Sequence, residues 1–244
     1  MQEIQDLCRA LRLGGMADSF EARNKEALAN QLSFTEAFML MLQDEKLHRE
    51  QKQYERRYKK ADFRGIKTLD NFDFRINPKI DQKLIRDLST CRYIKEASPV
   101  IIEGPCGIGK THIAQALGHC ALKAGFEVMF TTQSKLIEQL NASKATNNYA
   151  SCIKKFSKVD LLIIDEFGLK PMKDHDDEYI HEIIAERYEL KPTIITSNLS
   201  IDEYHQAFTN KLLAVATIDR IRHDAYKVIL SGKSYRSLKT NSKK

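Results

Sequence analysis

The feature that most constrains this chain is the octapeptide GPCGIGKT at residues 104–111, which directly follows the apolar run Val100–Glu103. It satisfies the pattern G-x-x-x-x-G-K-[ST], and a helix-like segment follows it. The glycines let successive backbone N–H groups point inward, and the following helix adds the positive end of its dipole. A strand, a turn of this kind and a helix in succession are typical of a phosphate-binding loop.

The side chains of this loop have separate expected roles. Lys110 would neutralise the β- and γ-phosphates of a nucleotide, and the Thr111 hydroxyl would hold Mg²⁺. The other expected nucleotide contacts are Gly104, Pro105, Cys106, Gly107, Ile108, Gly109 and His112. A purely structural glycine turn is the alternative, and the flanking strand and helix patterns disfavour it.

After Pro78, short apolar runs alternate with helix-like segments such as Thr111–Lys123 and Asp176–Tyr188. The runs predicted to be strands are Val100–Glu103, Glu127–Thr131, Asp160–Ile164, Thr193–Thr196 and Lys227–Leu230. Four of them are continuous and apolar, as parallel strands covered on both faces are. We therefore expect an α/β core with a parallel sheet flanked by crossover helices, and ligands outside the carboxyl ends of its strands.

Before residue 70 the pattern is helical. Ser33 and Glu36 form a capping-box start, and apolar residues follow at helical spacing. We predict a small all-α N-terminal domain over residues 1–68 and a nucleotide-binding domain over residues 69–244. The stretch from Gly65 through Asn77-Pro78 is expected to connect them.

Two carboxylates follow the apolar run Leu161–Ile164. Because that run predicts a buried strand, Asp165 and Glu166 should emerge at its carboxyl end, beside the loop. Asp165 is then placed to bind the water shell of Mg²⁺, and Glu166 to deprotonate a water that attacks the γ-phosphate. An apolar run that ends in two acidic residues is usually only a strand reaching a polar surface, but together with the loop it favours hydrolysis over simple binding.

A third run, Thr193–Thr196, delivers Ser197 and Asn198 to the same edge of the sheet. An amide there would hydrogen-bond the γ-phosphate or the attacking water. Asn198 as a helix N-cap or turn residue is an equally open interpretation.

The net charge of +6 is unevenly distributed: two segments contribute +6 each, and the rest of the chain sums to −6. Lys46–Lys67 holds nine Lys and Arg residues against three acidic ones, and Lys227–Lys244 holds six against none. Clustered basic charge favours an anionic partner, and nucleic acid is the leading candidate. A basic surface that is merely solvated is the alternative.

Composition limits the class of protein. A chain of 244 residues that is 42% hydrophobic can bury a real core. No apolar stretch approaches the roughly 18 residues that span a bilayer, and the N-terminus is amphipathic and charged. We expect a cytoplasmic protein without a membrane partner. Its five widely spaced cysteines, without a C-x-x-C pair, are expected to be reduced.

The motifs GPCGIGKT, LLIIDE and TIITSN stand in the order found in AAA+ ATPases. The chain resembles most closely the IstB-like helper ATPases of bacterial insertion sequences, relatives of the DnaC helicase loaders and DnaA initiators. The resemblance covers nearly the whole chain, through LRLGGMADSF, LSFTEAFMLMLQDE, HREQKQYERRYKKADF, KTLDNFDF and IDRIRHDAYKVILSGKSYR. These outer motifs favour this family, because the nucleotide motifs are shared across the superfamily.

The resemblance implies an AAA+ P-loop NTPase core with a truncated C-terminal lid. Lys110 and Thr111 look like its Walker A pair, Asp165 and Glu166 like its Walker B pair, and Asn198 like its sensor 1 residue.

The same resemblance implies an ATP-dependent homo-oligomer. Arg220 stands where related initiator-type ATPases carry an arginine finger that reaches the ATP of a neighbouring subunit. Arg222 is a competing candidate, and a surface arginine paired with Asp219 or Asp224 is a further alternative. Arg236 would approach the nucleotide from the short lid.

The basic helix gains an implied role in sequence-independent DNA binding. The expected phosphate contacts are Arg49, Lys52, Arg56, Arg57, Lys59 and Lys60. The alternative is that Tyr54 and Tyr58 pack on the nucleotide-binding domain while the basic residues are solvated.

The function implied is that of an ATP-dependent helper of DNA transposition. It would assemble on double-stranded target DNA with ATP and Mg²⁺ and act with a separate transposase. A DnaC-like helicase loader is the nearest alternative, and a small-molecule P-loop kinase is a more distant one.

Overall fold

The computed structural model describes residues 1–173, 175–232 and 234–235. Contacts divide the chain into two compact units, Met1–Arg57 and Tyr58–Lys244. Each unit is described by itself.

Residues 58–68 belong to the second unit, so the division lies earlier in the chain than the sequence-based boundary after residue 68. The reason is local packing. The ring centroid of His119 lies 5.4 Å from that of Tyr58 and 4.6 Å from that of Phe63. The backbone N–H of Phe130 also donates to the carbonyl of Ala61 at 2.8 Å.

The first unit contains α1 (Gln2–Ala10), α2 (Gly14–Ala29) and most of α3 (Phe34–Lys60). The predicted capping box is present at the start of α3. The carboxylate of Glu36 accepts from the Ser33 N–H at 2.8 Å, and the Glu36 N–H donates to the Ser33 hydroxyl at 3.3 Å.

A buried carboxylate holds α2 against α3. Glu45 is 6% exposed and accepts from the N–H groups of Gly15 at 2.7 Å and Met16 at 3.2 Å, at the start of α2. Burial alone would raise the pKa of Glu45, but hydrogen bonds from Arg49, Met16 and Gly15 lower it overall. The GG of LRLGGMADSF therefore supplies backbone donors to this carboxylate.

The second unit is an α/β fold with a five-stranded sheet in the order β2-β3-β4-β1-β5, in which every pair is parallel. Its elements are α4 (Gln82–Ser89), α5 (Arg92–Lys95), β1 (Val100–Glu103), α6 (Lys110–Lys123), β2 (Val128–Thr132), α7 (Gln133–Ala145), α8 (Tyr149–Lys158), β3 (Leu161–Phe167), α9 (Asp176–Arg187), β4 (Thr193–Ser197), a 3₁₀ helix (Ile201–Ala207), α10 (Lys211–Arg222) and β5 (Tyr226–Ile229). The predicted parallel sheet is confirmed.

Helices cover both faces of this sheet. On one face, Leu162, Ile164 and Ile195 lie in a buried cluster with residues of α7–α10. On the other, Ile163 packs so closely on α6 that a Cβ at Gly118 would lie 2.8 Å from its Cδ1. Burial on both faces explains the continuous apolar runs at Val100–Ile102 of β1 and Leu161–Ile164 of β3.

Because all five strands are parallel, their carboxyl ends lie along one side of the sheet, which we call the carboxyl edge. Their amino ends lie along the opposite side, which we call the amino edge. The described part of the chain contains no helix long and apolar enough to cross a membrane. The predicted short lid follows Arg220, and residues 233 and 236–244 of that stretch lie outside the described residues.

Candidate nucleotide-binding site

The loop of residues 104–111 joins β1 to α6 at the carboxyl edge of the sheet. Gly104 has φ +147° and Gly109 has φ +100°, both in the region that favours glycine. A Cβ at Gly104 would lie 2.2 Å from the carbonyl oxygen of Leu230, and one at Gly109 2.6 Å from a ring carbon of Phe72. Backbone angle and close approach therefore both require glycine at these two positions.

Lys110 is a nearly buried cation, 8% exposed. Its Nζ donates to the carbonyls of Gly104 at 2.6 Å and Pro105 at 2.8 Å, and to Asn198 Oδ1 at 2.7 Å. These oxygens are neutral, and an anionic oxygen would add Coulomb attraction to the hydrogen bond of the ammonium group. The arrangement thus holds a positive charge ready for an anionic ligand.

Asp165 is a fully buried carboxylate at the end of the apolar part of β3. It accepts from the hydroxyl of Thr111 at 2.9 Å and from that of Thr196 at 2.5 Å. A carboxylate and a neighbouring hydroxyl are oxygen ligands of the kind that Mg²⁺ prefers. The residues present therefore fit a magnesium ion held by Thr111 and Asp165.

Glu166 follows Asp165 directly but faces a different environment. Its side chain is exposed and lines the cavity described below, and its backbone has φ +59°. The β3–β4 register shifts between Ile164 and Phe167, so two adjacent carboxylates end in different surroundings. A carboxylate beside the site and open to water has the placement of a general base.

Beside these residues lies a cavity of about 920 Å³, within the size range of small-molecule sites. Its polar end is lined by Lys110, Thr111, Asp165, Glu166 and Asn198. The structure thus brings together every predicted residue of the Walker A, Walker B and sensor 1 group at one edge of the sheet.

Aromatic residues line the same cavity. The ring of Phe72 lies 5.2 Å from those of both His112 and Tyr235, centroid to centroid. Tyr235 also donates through its hydroxyl to the Asp73 carbonyl at 2.6 Å and through its N–H to the Gly107 carbonyl at 2.9 Å. Flat apolar rings beside a polar cradle suit a nucleobase next to a phosphate site.

Sequence reasoning gave Phe72 and Tyr235 no role, although both lie in stretches that resemble the family, KTLDNFDF and SGKSYR. The available indication was an aromatic residue within an irregular polar segment. That pattern does not reveal that the segment closes over the loop.

The remaining predicted nucleotide contacts differ in position. His112 lines the cavity and donates from Nε2 to the Thr68 carbonyl at 2.8 Å, and Cys106 is exposed in the cavity wall. Ile108 is 1% exposed, so its side chain belongs to the core and its contribution would come from the backbone. Arg236 lies outside the described residues.

Arg220 lies at the opposite, amino edge of the sheet, where it lines a small cavity with Pro99, Thr193 and Asp224. Its Nη1 donates to the Ala216 carbonyl at 3.0 Å, and its guanidinium carbon is 6.0 Å from the centre of the Tyr188 ring. Arg220 therefore does not line the nucleotide cavity of its own chain.

The nearby Arg222 differs from Arg220. Its Nη2 pairs with the Asp202 carboxylate. Asp219 and Asp224 were the partners weighed from the sequence for Arg220. Among the described residues, Arg220 has no ion pair of this kind.

The six basic residues expected to contact DNA lie on the C-terminal half of α3. Arg49 pairs with Glu45 at 2.6 Å, and Lys60 lies 3.8 Å from Glu127. Lys52, Arg56 and Lys59 are exposed and form no ion pair with any other described residue. Tyr58 packs beside His119, as the solvated-surface alternative requires for that tyrosine.

The sequence has clear relatives. A profile of the family described as IstB-like ATP-binding protein matches residues 7–244. An insertion-sequence ATP-binding protein of Mycobacterium tuberculosis is 31% identical over 237 residues, which cover 97% of this chain and 94% of that protein. The ATP-binding protein of insertion sequence IS21 from Pseudomonas aeruginosa is 33% identical over 236 residues, covering 97% of this chain and 89% of that protein.

Solved structures share the fold. The DnaC helicase loader matches with a TM-score of 0.54 and 24% identity, over 60% of this chain and 86% of that one. The replication initiator DnaA bound to AMPPCP and single-stranded DNA matches with a TM-score of 0.57 and 20% identity, over 72% of this chain and 54% of that one. At these identities the likeness establishes the AAA+ fold.

Proposed function

This chain belongs to the IstB-like ATP-binding proteins of insertion sequences, as its motifs predicted, and from that membership we propose that it is an ATP-hydrolysing, DNA-binding helper of transposition. It assembles as an ATP-dependent homo-oligomer on double-stranded DNA and acts with a separate transposase. The observation that carries the proposal is the hydrogen-bonded group of Lys110, Thr111, Asp165 and Asn198 beside the large cavity.

In the proposed reaction, Lys110 leaves its neutral oxygens to bind the β- and γ-phosphates. Thr111 and Asp165 hold Mg²⁺, which supplies charge neutralisation at the phosphates when bound. Glu166 takes a proton from a water whose oxygen bonds to the γ-phosphorus, while the bond to the ADP oxygen breaks. Asn198, already in contact with Lys110, lies where it can orient that water or the γ-phosphate.

Arg220 completes this site from another subunit. Its position at the amino edge of the sheet supports action in trans, because the cavity of its own chain lies at the carboxyl edge. Turnover then depends on assembly, and bound ATP marks a subunit as ready to join its neighbour.

The central test is ATP hydrolysis with and without duplex DNA. We expect turnover to rise with DNA, and Glu166→Gln to lower it by roughly 10²-fold or more while ATP affinity is retained. The small-molecule kinase alternative predicts no stimulation by DNA. Absence of hydrolysis under every condition would contradict the enzymatic part of the proposal.

The trans role is tested by mixing two inactive variants. Arg220→Ala and Glu166→Gln should each be inactive alone, since an arginine finger contributes about 10³ or more to turnover. In a mixture, some interfaces contain an intact Glu166 and an intact Arg220, and part of the activity should return. Arg222→Ala, which removes an ion pair, is the control and should stay active. If mixing restores nothing, Arg220 does not act in trans.

DNA binding is tested on the face of α3 that carries Lys52, Arg56 and Lys59. These residues are spaced i, i+4 and i+7, so they share one helix face. Reversing all three to Glu should weaken binding and reduce the slope of log K against log salt by about 0.9 for each phosphate that the variant no longer neutralises.

A matched control for this variant reverses three exposed lysines of the second unit, Lys79, Lys83 and Lys95, to Glu. The change in net charge is the same, so a general charge effect would weaken both variants equally. Equal affinities would remove α3 as the DNA-binding element. Capture of a replicative helicase by the chain, in place of DNA-stimulated turnover, would favour the helicase-loader alternative.

A further inference from the structure

Thr196 lies at the end of β4, next to Asp165 and Glu166 of β3. It is 1% exposed, and its hydroxyl oxygen lies 2.5 Å from Asp165 Oδ1 and 3.2 Å from the backbone nitrogen of Glu166. One side chain on a neighbouring strand therefore contacts both predicted catalytic carboxylate residues.

The direction of both hydrogen bonds is fixed by chemistry. The Glu166 N–H can only donate, so the Thr196 oxygen accepts there, and its single proton goes to Asp165 Oδ1. Thr111 also donates to Asp165, 2.9 Å from Oδ1 and 3.1 Å from Oδ2. Thr196 thus holds one oxygen of a buried carboxylate in place on the side of the neighbouring strand.

The bond to Glu166 replaces a regular sheet contact. The β3–β4 ladder is interrupted between Ile164 and Phe167, and Glu166 adopts φ +59°, which a non-glycine residue keeps only when its surroundings enforce it. The Thr196 hydroxyl gives the Glu166 N–H a partner in this irregular stretch. It therefore stabilises the backbone conformation that turns the Glu166 side chain toward the cavity.

The residues after Thr196 extend the same connection. Ser197 donates to the Phe167 carbonyl at 2.7 Å, and Asn198 accepts from Lys110 at 2.7 Å. Three consecutive residues, at the end of β4 and directly after it, thus contact the two carboxylate residues, the last residue of β3 and the loop lysine.

We propose that Thr196 is a positioning residue for ATP hydrolysis, which holds Asp165 and Glu166 in their working orientations through its hydroxyl. This inference rests on the proposed hydrolysis and assigns a role to a residue whose hydroxyl is engaged by Asp165 and the Glu166 N–H. Because Thr196 acts through the carboxylates, its loss should lower kcat and leave ATP affinity nearly unchanged.

The test compares Thr196→Val, which keeps the shape and removes the hydroxyl, with Thr196→Ser, which keeps the hydroxyl. We expect Thr196→Val to lower kcat by about tenfold to a hundredfold, because Glu166 acts in the hydrolysis step. ATP affinity should stay within about twofold of the parent, because Asp165 keeps its hydrogen bonds from Thr111. Ser should restore at least half of the parent kcat. Thr131→Val is the matched control, since Thr131 is buried in β2 and donates to the Thr132 carbonyl.

Two outcomes would overturn the role of Thr196. One is a Val variant with the parent kcat, and the other is a Ser variant as slow as Val, which would assign the effect to packing of the methyl group. A second measurement, hydrogen exchange at the Glu166 amide, does not depend on turnover. Thr196→Val should accelerate exchange at this amide at least tenfold, and Thr196→Ser should not. Equal exchange rates in the parent and both variants would also overturn the role of Thr196. A parent protein without hydrolysis would instead count against the proposed function.

Discussion

Two buried cations lie at opposite edges of the same parallel sheet, and they differ in what their partners allow. Lys110 at the carboxyl edge contacts two loop carbonyls and an amide beside a cavity of about 920 Å³. Arg187, at the end of α9, is 1% exposed and lines a cavity of only about 110 Å³ at the amino edge.

The partners of Arg187 are all fixed parts of the chain. Its guanidinium donates to four backbone carbonyls and one hydroxyl, those of Phe156, Ser157, Val159, Pro192 and Thr193. Burial lowers the pKa of the Arg187 guanidinium to about 9, while Asp160 opposes that shift. It therefore stays charged at neutral pH and joins the end of α8 to the start of β4.

The comparison teaches that burial of a charge does not by itself indicate a ligand site. What differs is whether the partners can be exchanged. Lys110 can exchange its neutral oxygens for phosphate in the adjoining cavity, whereas Arg187 donates to four carbonyls and a hydroxyl that are held in place by the fold.

The largest expected effect is on stability at Arg187. Arg187→Met leaves four buried carbonyls without their donor, and we expect the free energy of unfolding to fall by about 3–5 kcal/mol. Urea unfolding measures this. Arg187→Lys keeps the charge but not the planar guanidinium, so its free energy of unfolding should lie between those of the parent and Arg187→Met. A loss below about 1 kcal/mol for Met would show that the carbonyls find other partners.

The next largest effect, at Lys110, is on ATP affinity rather than on stability. Lys110→Met should lower ATP affinity by roughly 10- to 100-fold, because it removes charge-assisted hydrogen bonds to phosphate. The free energy of unfolding should change by less than about 1 kcal/mol, since Lys110 and its partner Asn198 line the open cavity. Calorimetry and urea unfolding measure the two quantities, with Lys83→Met on α4 as the control. A strongly destabilised Lys110→Met would erase the distinction between the two cations.

Sequence reasoning found one of these cations and not the other for a physical reason. Lys110 lies in a contiguous motif in which the loop, its strand and its helix are adjacent in the chain. The partners of Arg187 include residues about thirty positions earlier, so in the sequence it is only a basic residue near the end of a helix. The five strands were predicted to within a few residues, and the signal was clearest for β1 and the apolar part of β3, where every residue is buried.

The site shows the same limit. Asp165 and Glu166 were expected together from their position after an apolar run, and both line the cavity, but Asp165 is fully buried whereas Glu166 is exposed. Their separation depends on the irregular pairing with β4 and on Thr196, about thirty positions away in the chain. The pattern of residues within a single strand contains no information on the pairing with β4 or on the contact with Thr196.

A smaller effect concerns two cysteines. Cys106 is exposed in the wall of the nucleotide cavity, whereas Cys91 is 2% exposed and burial, with Cys120, raises its pKa to about 11. Iodoacetamide should therefore label Cys106 more than about tenfold faster than Cys91, because the thiolate is the reactive form. ATP should slow labelling of Cys106 alone. Peptide mass spectrometry measures both rates, and equal protection of Cys91 by ATP would place the ligand effect outside the cavity.

The smallest expected effect is the pH-dependent contribution of Asp160, at the amino edge, to the free energy of unfolding. Asp160, beside Arg187, accepts from Lys191 at 2.8 Å and from the Glu127 N–H at 2.9 Å. Burial alone would raise the pKa of Asp160, but these partners lower it overall. A carboxylate whose folded pKa is depressed stabilises the fold above its unfolded value of about 3.9, and that contribution disappears as the pH falls through the folded value.

Asp160→Asn should therefore cost less than about 1 kcal/mol at pH 7, as expected for a partly exposed ion pair, and progressively less as the pH falls below the unfolded value of about 3.9. Urea unfolding across this range measures the difference, with Glu138→Gln on α7 as the control for loss of an exposed carboxylate. Because Asp160 lies at the amino edge, saturating ATP should raise the stability of parent and variant alike and leave their difference unchanged. A difference that shrinks with ATP would mean that the charges at the amino edge respond to the nucleotide, and the separation between a fixed edge and an exchangeable one would fail.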